Sequence, residues 1–272
     1  MGMIDDEVRV LLSHAQELSA RTDKGVACWT AFLSPGQQRD VLEMLRSIGK
    51  AENVRLHGGF CGAERACVLF FPDYALDMCD PSLEGTAAVR ELLALCGEED
   101  PVTTLHIRGS GFCNLTHRDY LGSLLSLGLE REVLGDIEMP DAHGAYLFCR
   151  SHIATYIAEN LERVGGDKVT VKAVSTDEQF ASFRRVQPMS DTVASTRLDC
   201  VVASLANLSR DAAQQLIRDG RVELEYRVEE RVDRTVPYPA AISIRGVGKF
   251  RVLDMGTQTK KGRLRMSAEK FI

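Results

Sequence analysis

Apolar residues along the chain switch between a helical and an alternating spacing, and the switches outline its elements. Over residues 1–21, Val8, Leu11, Leu12, Ala15 and Leu18 fall on one helical face. A second helix is predicted in "PGQQRDVLEMLRSIG", with Pro35 at its start and Gly49 at its stop. The apolar run over residues 66–71 reads as a strand that Pro72 ends. From residue 101 the order is continuous. "PVTTLHIRG" is a β-branched strand, and "THRDYLGSLLSLGL" is a helix with Thr116 as N-cap and Asp119 three residues on, in a capping-box arrangement. "LGDIEM" and "GAYLFCR" are strands on either side of the turn residues "PDAHG". "SHIATYIAENLERVGG" is a helix capped by Ser151 and stopped by Gly165, and "KVTVKAV" alternates strictly as a strand. The order β-α-β-β-α-β predicts a ferredoxin-like, split-βαβ domain. RNA-recognition modules share that arrangement with many enzymes and metal carriers.

Residues 175–194 have weak periodicity and contain Pro188, and a linker is expected over 176–194. Beyond it, Thr196 is placed to cap a helix with Asp199 at its third position and an apolar stripe of Leu198, Val201, Val202, Leu205 and Leu208. Ser209 is placed to cap a second helix, with Ala212, Ala213, Leu216 and Ile217 inward and Gly220 as a left-handed stop. "RVELEY" then reads as a strand. The expected fold is α+β in three small units. These are an N-terminal α/β unit (1–80), a ferredoxin-like domain (81–175) and, after the linker, a unit of two helices plus strands (195–272).

Charge changes this picture from a fold into a candidate function. The 272 residues carry a net charge of −6, but residues 195–272 hold 15 Lys+Arg against 10 Asp+Glu, net +5, leaving −11 for residues 1–194. A basic end on an acidic body is a sign of polyanion binding. Arg210, Gln214 and Arg218 recur every four residues and so share a helical face, near Arg197. Guanidinium groups so placed bridge phosphates with paired hydrogen bonds, and the helix start at Ser209 offers further donors. The alternative for this face is a solvated surface balanced by Asp211 and Asp219. Lys260, Lys261, Arg263 and Arg265 form a basic, glycine-containing turn suited to a phosphate backbone. His117 and Arg118, in the first turn of the central domain's first helix, are further candidates for RNA contact. The strands "VTTLHIRG" and "GAYLFCR" lack the aromatic-rich stacking signature of RNA-recognition motifs, so contact to RNA shape and phosphate is expected there instead.

Other classes fit less well. No apolar run approaches the ~20 residues that span a bilayer, and the N-terminus lacks the basic start and apolar core of a signal peptide. Eight cysteines without paired metal or redox spacing read as free thiols in a reducing cytoplasm. "GSGFCN" lacks the third glycine of a dinucleotide loop. Cys113 with His117, and His57 with Cys61, lack second pairs for zinc. No cofactor and no catalytic set is expected.

"RLDCVVASLANLSRDAAQQLIRDGRVEL" resembles the S-four RNA-binding domain, through Arg197-Leu198-Asp199, Ser209-Arg210, Ala213, Leu216-Ile217, Gly220 and Val222. Two departures are the usual Val-Asn-Gly turn, here Leu224-Glu225-Tyr226, and a later Gly-Asp, here Ala240-Ala241. With "THRDYLGSLLSLGLEREVLGDI", "CRSHIATYIAENLERVG" and "ISIRGVGKFRVLDMGTQTKKGRLRM", the chain resembles the YlmH family over nearly its whole length. The chain is expected to be a cytoplasmic, non-catalytic monomer. The partners that the resemblance implies are ribosomal RNA, transfer RNA and the large ribosomal subunit, in rescue of stalled translation, and an association with cell division travels with the name. The resemblance also implies an RNA face of Arg197, Ser209, Arg210, Gln214, Arg218 and Lys249. The alternatives are an RNA-modifying enzyme, such as a pseudouridine synthase or methyltransferase, that presents substrate on its C-terminal domain, or a cell-division interaction factor.

Overall fold

The computed structural model describes residues 6–175, 180, 182–260 and 262–272. They form an α+β protein of two compact units, Met1–Phe183 and Arg184–Ile272.

The first unit begins with α1 (Asp6–Thr22), β1 (Cys28–Trp29), α2 (Pro35–Ser47), β2 (Val54–His57) and β3 (Cys67–Phe70). The helix α2 starts on Pro35 behind a capping box made by Ser34 and Gln37. The three strands pair antiparallel in the order β1-β3-β2. Val68 and Phe70 face the two helices through a core with Ala15, Leu18, Val41 and Leu45. Two helices absent from the sequence reading follow, α3 (Asp73–Met78) and α4 (Gly85–Cys96).

The central domain consists of β4 (Val102–Gly109), α5 (His117–Ser126), β5 (Leu134–Asp141), β6 (Gly144–Arg150), α6 (Ser151–Asn160), the short β7 (Arg163–Val164) and β8 (Asp167–Val174). The sheet order β5-β6-β4-β8-β7 is antiparallel throughout, so the four long strands have the ferredoxin-like arrangement predicted from the sequence. Thr116 and Asp119 close their capping box. Ser151 instead is the first residue of α6 and spends its hydroxyl on Asp100 O at 2.7 Å, and that helix stops at Asn160 rather than Gly165.

Residues on both sides of the boundary expected at residue 80 share one core. Alternation sends Leu105, Ile107 and Leu147 toward α5 and α6, and Val102 and Phe148 to the other face. There Phe148 packs with Phe32, Phe60, Leu69 and Leu92. Gly59 makes this approach possible: its φ is +93°, and a Cβ there would lie 2.4 Å from Phe148 Cδ1. Polar contacts reinforce the junction. Arg65 donates from Nε to Leu134 O at 3.0 Å and from Nη2 to Phe32 O at 2.9 Å. Asp136 accepts the Glu64 and Arg65 amides at 2.6 and 3.2 Å.

The second unit has β9 (Val186–Val193), α7 (Leu198–Ala206), α8 (Arg210–Arg218), β10 (Val222–Leu224), β11 (Arg227–Val228), β12 (Ala240–Ile244), β13 (Gly248–Gln258) and β14 (Leu264–Phe271). Its antiparallel sheet runs β11-β10-β12-β13-β14-β9. Thus the second half of the stretch expected as a linker is an edge strand, paired with β14 from Leu264↔Val193 to Phe271↔Val186. One face of the sheet, with Val222, Ile242, Phe250 and Val252, packs on Leu198, Val201, Leu205, Ala213 and Ile217 of the helices.

Phe148→Ala should lower the stability of the first unit by about 3–5 kcal/mol. Trp29, the single tryptophan, packs against the same core and reports the transition by fluorescence in urea. An unmoved transition would show that the two halves do not depend on a common core.

Candidate nucleic-acid interface

The candidate interface in the second unit is organised around a buried acid. The helix α7 begins at Leu198 with Arg197 in the N-cap position and no side-chain cap, so Thr196 does not cap it. Asp199 turns inward and is 0% exposed. A carboxylate so placed must be paired. Arg197 approaches as a fork, Nε and Nη2 donating at 3.2 Å each. From α8, Arg210 Nε donates at 3.0 Å, with its Nη2 2.9 Å away, and Gln214 Nε2 donates at 2.8 Å. Burial by itself would push this carboxyl up, but the bonds from Arg197, Gln214 and Arg210, with the charge of Arg210, hold it well below the ordinary carboxylate range.

These ion pairs hold the arginines without hiding them. The Arg197 and Arg210 side chains remain 39% and 52% exposed, and two guanidinium charges face one carboxylate. One turn on, exposed Arg218 reaches Gln214 Oε1 at 3.4 Å. Ser209 caps α8, accepting from Ala212 N at 3.2 Å, and Gly220 takes the left-handed φ of +64° expected at its end. Asn207, with φ 52°, ends α7 one residue before Leu208, which leaves the apolar stripe and is 40% exposed.

Arg210 also lines a cleft of about 340 Å³ together with Asp191, Ser204 and Arg263. Arg263 is fixed there by Nε donating to Thr192 Oγ1 at 3.1 Å and Nη2 donating to Thr192 O. It closes a turn in which Thr259 N donates to Arg263 O at 2.7 Å and Gly262 has φ +76°. Lys260 is exposed on that turn, and Arg265 is exposed on β14 opposite Thr192. Lys261 lies outside the described residues.

Lys249 does not join the α8 group. Its neighbour Phe250 is in the core beneath the helices, so alternation sends Lys249 to the other face of the sheet. His117 and Arg118 belong to the first unit, exposed in the first turn of α5.

Two features were missed in the sequence. One is Asp199 as acceptor, signalled only by an acid inside the buried run Leu198–Val202. The other is an aromatic cluster on the central sheet. Tyr146 stacks on His106 at 4.7 Å and on Phe183 at 5.9 Å. Phe180 meets Tyr146, Phe148 and Phe60 edge-on at 5.1–5.4 Å. Ser182 Oγ and Phe183 N donate to Glu138 at 2.7 Å each, pinning this segment to β5.

Among the described residues no group of three His, Cys, Asp or Glu side chains is arranged for a metal, and no helix is long and apolar enough to cross a membrane. All eight cysteines are free; four are buried, and Cys61 and Cys113 are exposed.

Residues 101–178 match the family model described as "Putative RNA-binding domain in YlmH". The match covers the ferredoxin-like domain. The chain is also 27% identical over 245 residues to ribosome-associated protein quality control protein P2 of Bacillus subtilis (strain 168), covering 89% of this chain and 86% of that protein. The solved structure of cell division protein ylmH from Streptococcus pneumoniae aligns with a TM-score of 0.44 at 21% identity, covering 64% of this chain and 94% of that one.

Asp199→Ala should cost about 2–3 kcal/mol, less than for a fully enclosed pair because both arginines stay partly in water. The folded pKa of Asp199 is depressed, so its contribution is complete above the ordinary aspartate value of about 4 and drains away as pH falls below that. Urea melts of wild type and variant should therefore differ most near neutrality and converge in acid. A constant gap at all pH values would remove the ion cluster from this role.

Proposed function

We propose that this protein is a non-catalytic RNA-binding factor of the YlmH type, whose second unit is an S-four domain. In this reading it docks as a cytoplasmic monomer on structured ribosomal RNA, transfer RNA or both, at the large ribosomal subunit, in quality control of stalled translation. The observation that carries the reading is the buried Asp199 carboxylate that presents Arg197, Arg210 and Gln214, with Arg218 one turn on, as a preset cationic surface. Guanidinium groups already held in place lose little freedom on binding and suit phosphate oxygens. The cleft shared by Arg210 and Arg263 extends the surface toward the basic turn. The family match at residues 101–178 and the similarity to a ribosome-associated quality control protein support RNA and the ribosome as partners.

Sedimentation of the full chain with purified ribosomal particles tests this. The protein is expected in the large-subunit fraction, released as salt rises, since each neutralised phosphate releases counterions. Arg218→Glu, which alters an exposed residue at a long contact to Gln214, should weaken binding about three- to tenfold and flatten the salt dependence. Unchanged binding by a folded variant would place the contact elsewhere.

A further inference from the structure

The hairpin joining β10 and β11 turns through Glu225 and Tyr226, the two residues between the paired Leu224 and Arg227. Both stand in the left-handed region, with φ 53° and 64°. Two-residue turns of this hand favour Asn-Gly or Gly-Gly, because a Cβ is unfavourable there. Backbone conformations kept against such a cost concentrate at functional surfaces. Glu225 has a structural reason to stay: its N–H donates to Ala241 O at 2.8 Å, and its carboxylate accepts the Ala241 N–H, fastening the turn to β12.

Tyr226 turns its ring to Lys249, whose Nζ lies 5.1 Å from the ring centroid. The same ammonium is 5.3 Å from the Phe271 ring, and the Arg251 guanidinium is 5.4 Å from Phe271 on the same sheet face. Ring and cation therefore alternate as Tyr226, Lys249, Phe271 and Arg251, on the face directed away from α7 and α8. Tyr226, Lys249 and Phe271 are partly exposed and Arg251 is exposed, with Glu269 across from Arg251 on β14.

We propose that this row is a site for unpaired nucleotides of RNA, with a base stacked on Tyr226 and the adjoining phosphates held by Lys249 and Arg251. Single strands are held by aromatic platforms interleaved with cations, because every base has a stacking face while the backbone supplies uniform charge. A duplex keeps its bases stacked internally and offers Tyr226 no such partner. The site thus differs in ligand from the α8 face, which addresses the phosphates of folded RNA. It rests on the RNA-binding reading above and adds the class of RNA recognised.

Fluorescence polarisation of the full chain with a labelled single-stranded RNA of mixed sequence, and with a blunt duplex of the same length, tests it. Tyr226→Gly removes the ring and its contact to Lys249 but relieves the left-handed strain, so the fold should be retained. Its affinity for the single strand should fall about tenfold while duplex affinity holds. Tyr226→Phe should bind as wild type, and Tyr226→Asn, also tolerant of this backbone, repeats the test should the glycine variant not fold. Wild-type affinity for the single strand in Tyr226→Gly would overturn the site, as would an equal loss on both RNAs. Failure of the wild-type chain to bind either RNA would instead overturn the RNA-binding reading as a whole.

Discussion

A carboxylate with no access to water has to be satisfied by its neighbours, and in the second unit that demand falls on both helices at once. Apolar contacts between Leu198, Val201 and Leu205 on α7 and Ala213 and Ile217 on α8 bring the helices together. Such contacts are non-directional and would tolerate a rotation of α8 about its axis. Asp199 removes that freedom, since only one setting of α8 brings both Arg210 and Gln214 to the same carboxylate. The rotation that satisfies the acid also decides which residues face outward, and Arg218 follows one turn later. The rotational setting of α8 and the cationic surface it presents are thus consequences of one buried charge.

The arrangement exchanges field strength for definition. Asp199 cancels one of the two guanidinium charges beside it, so the surface attracts polyanions less than two unpaired arginines would. What remains is a set of donors already oriented, and orientation separates docking on a particular ridge of folded RNA from loose adhesion to any nucleic acid. The uneven charge of the chain acts in the same direction. Residues 1–194 carry −11 and residues 195–272 carry +5, so long-range attraction is confined to one end and opposed over the rest.

Much of the architecture could be read from local signals. Period-2 and period-3.6 patterns located the ferredoxin-like strands and helices, and Thr116, Ser209 and Gly220 marked real helix ends. Three of the failures share a cause: the deciding partner lies far away in the chain. Ser151 resembles a cap until the Asp100 carbonyl takes its hydroxyl. The strand β9 shows little alternation because, on the sheet's edge, most of its side chains meet solvent, and its pairing with β14 is a backbone ladder. The common core of the first 80 residues and the central sheet depends on Phe148, whose burial direction follows from alternation but whose covering layer does not. For Lys249 the information was present, since its buried neighbour Phe250 obliges it to face the opposite way.

The central sheet shows how a fold and a binding site can separate. RNA-recognition modules stack bases on the sheet face that their helices leave open. In this chain that face carries Phe148, Tyr146 and His106, and none of the three is left open as a broad platform. Phe60 and Phe32 cover Phe148, while Phe180 and Phe183 close on Tyr146 from a segment that Glu138 holds by two hydrogen bonds. The aromatic surface that would serve bases in a related topology is here spent on joining two layers of the protein. Under the reading proposed above, contacts by this domain fall on its loops and helix ends, where His117 and Arg118 stand exposed, and the binding of bases passes to a sheet that leaves its rings outward. In the second unit the helices cover one face of such a sheet, and the other keeps Tyr226 and Phe271 between cations.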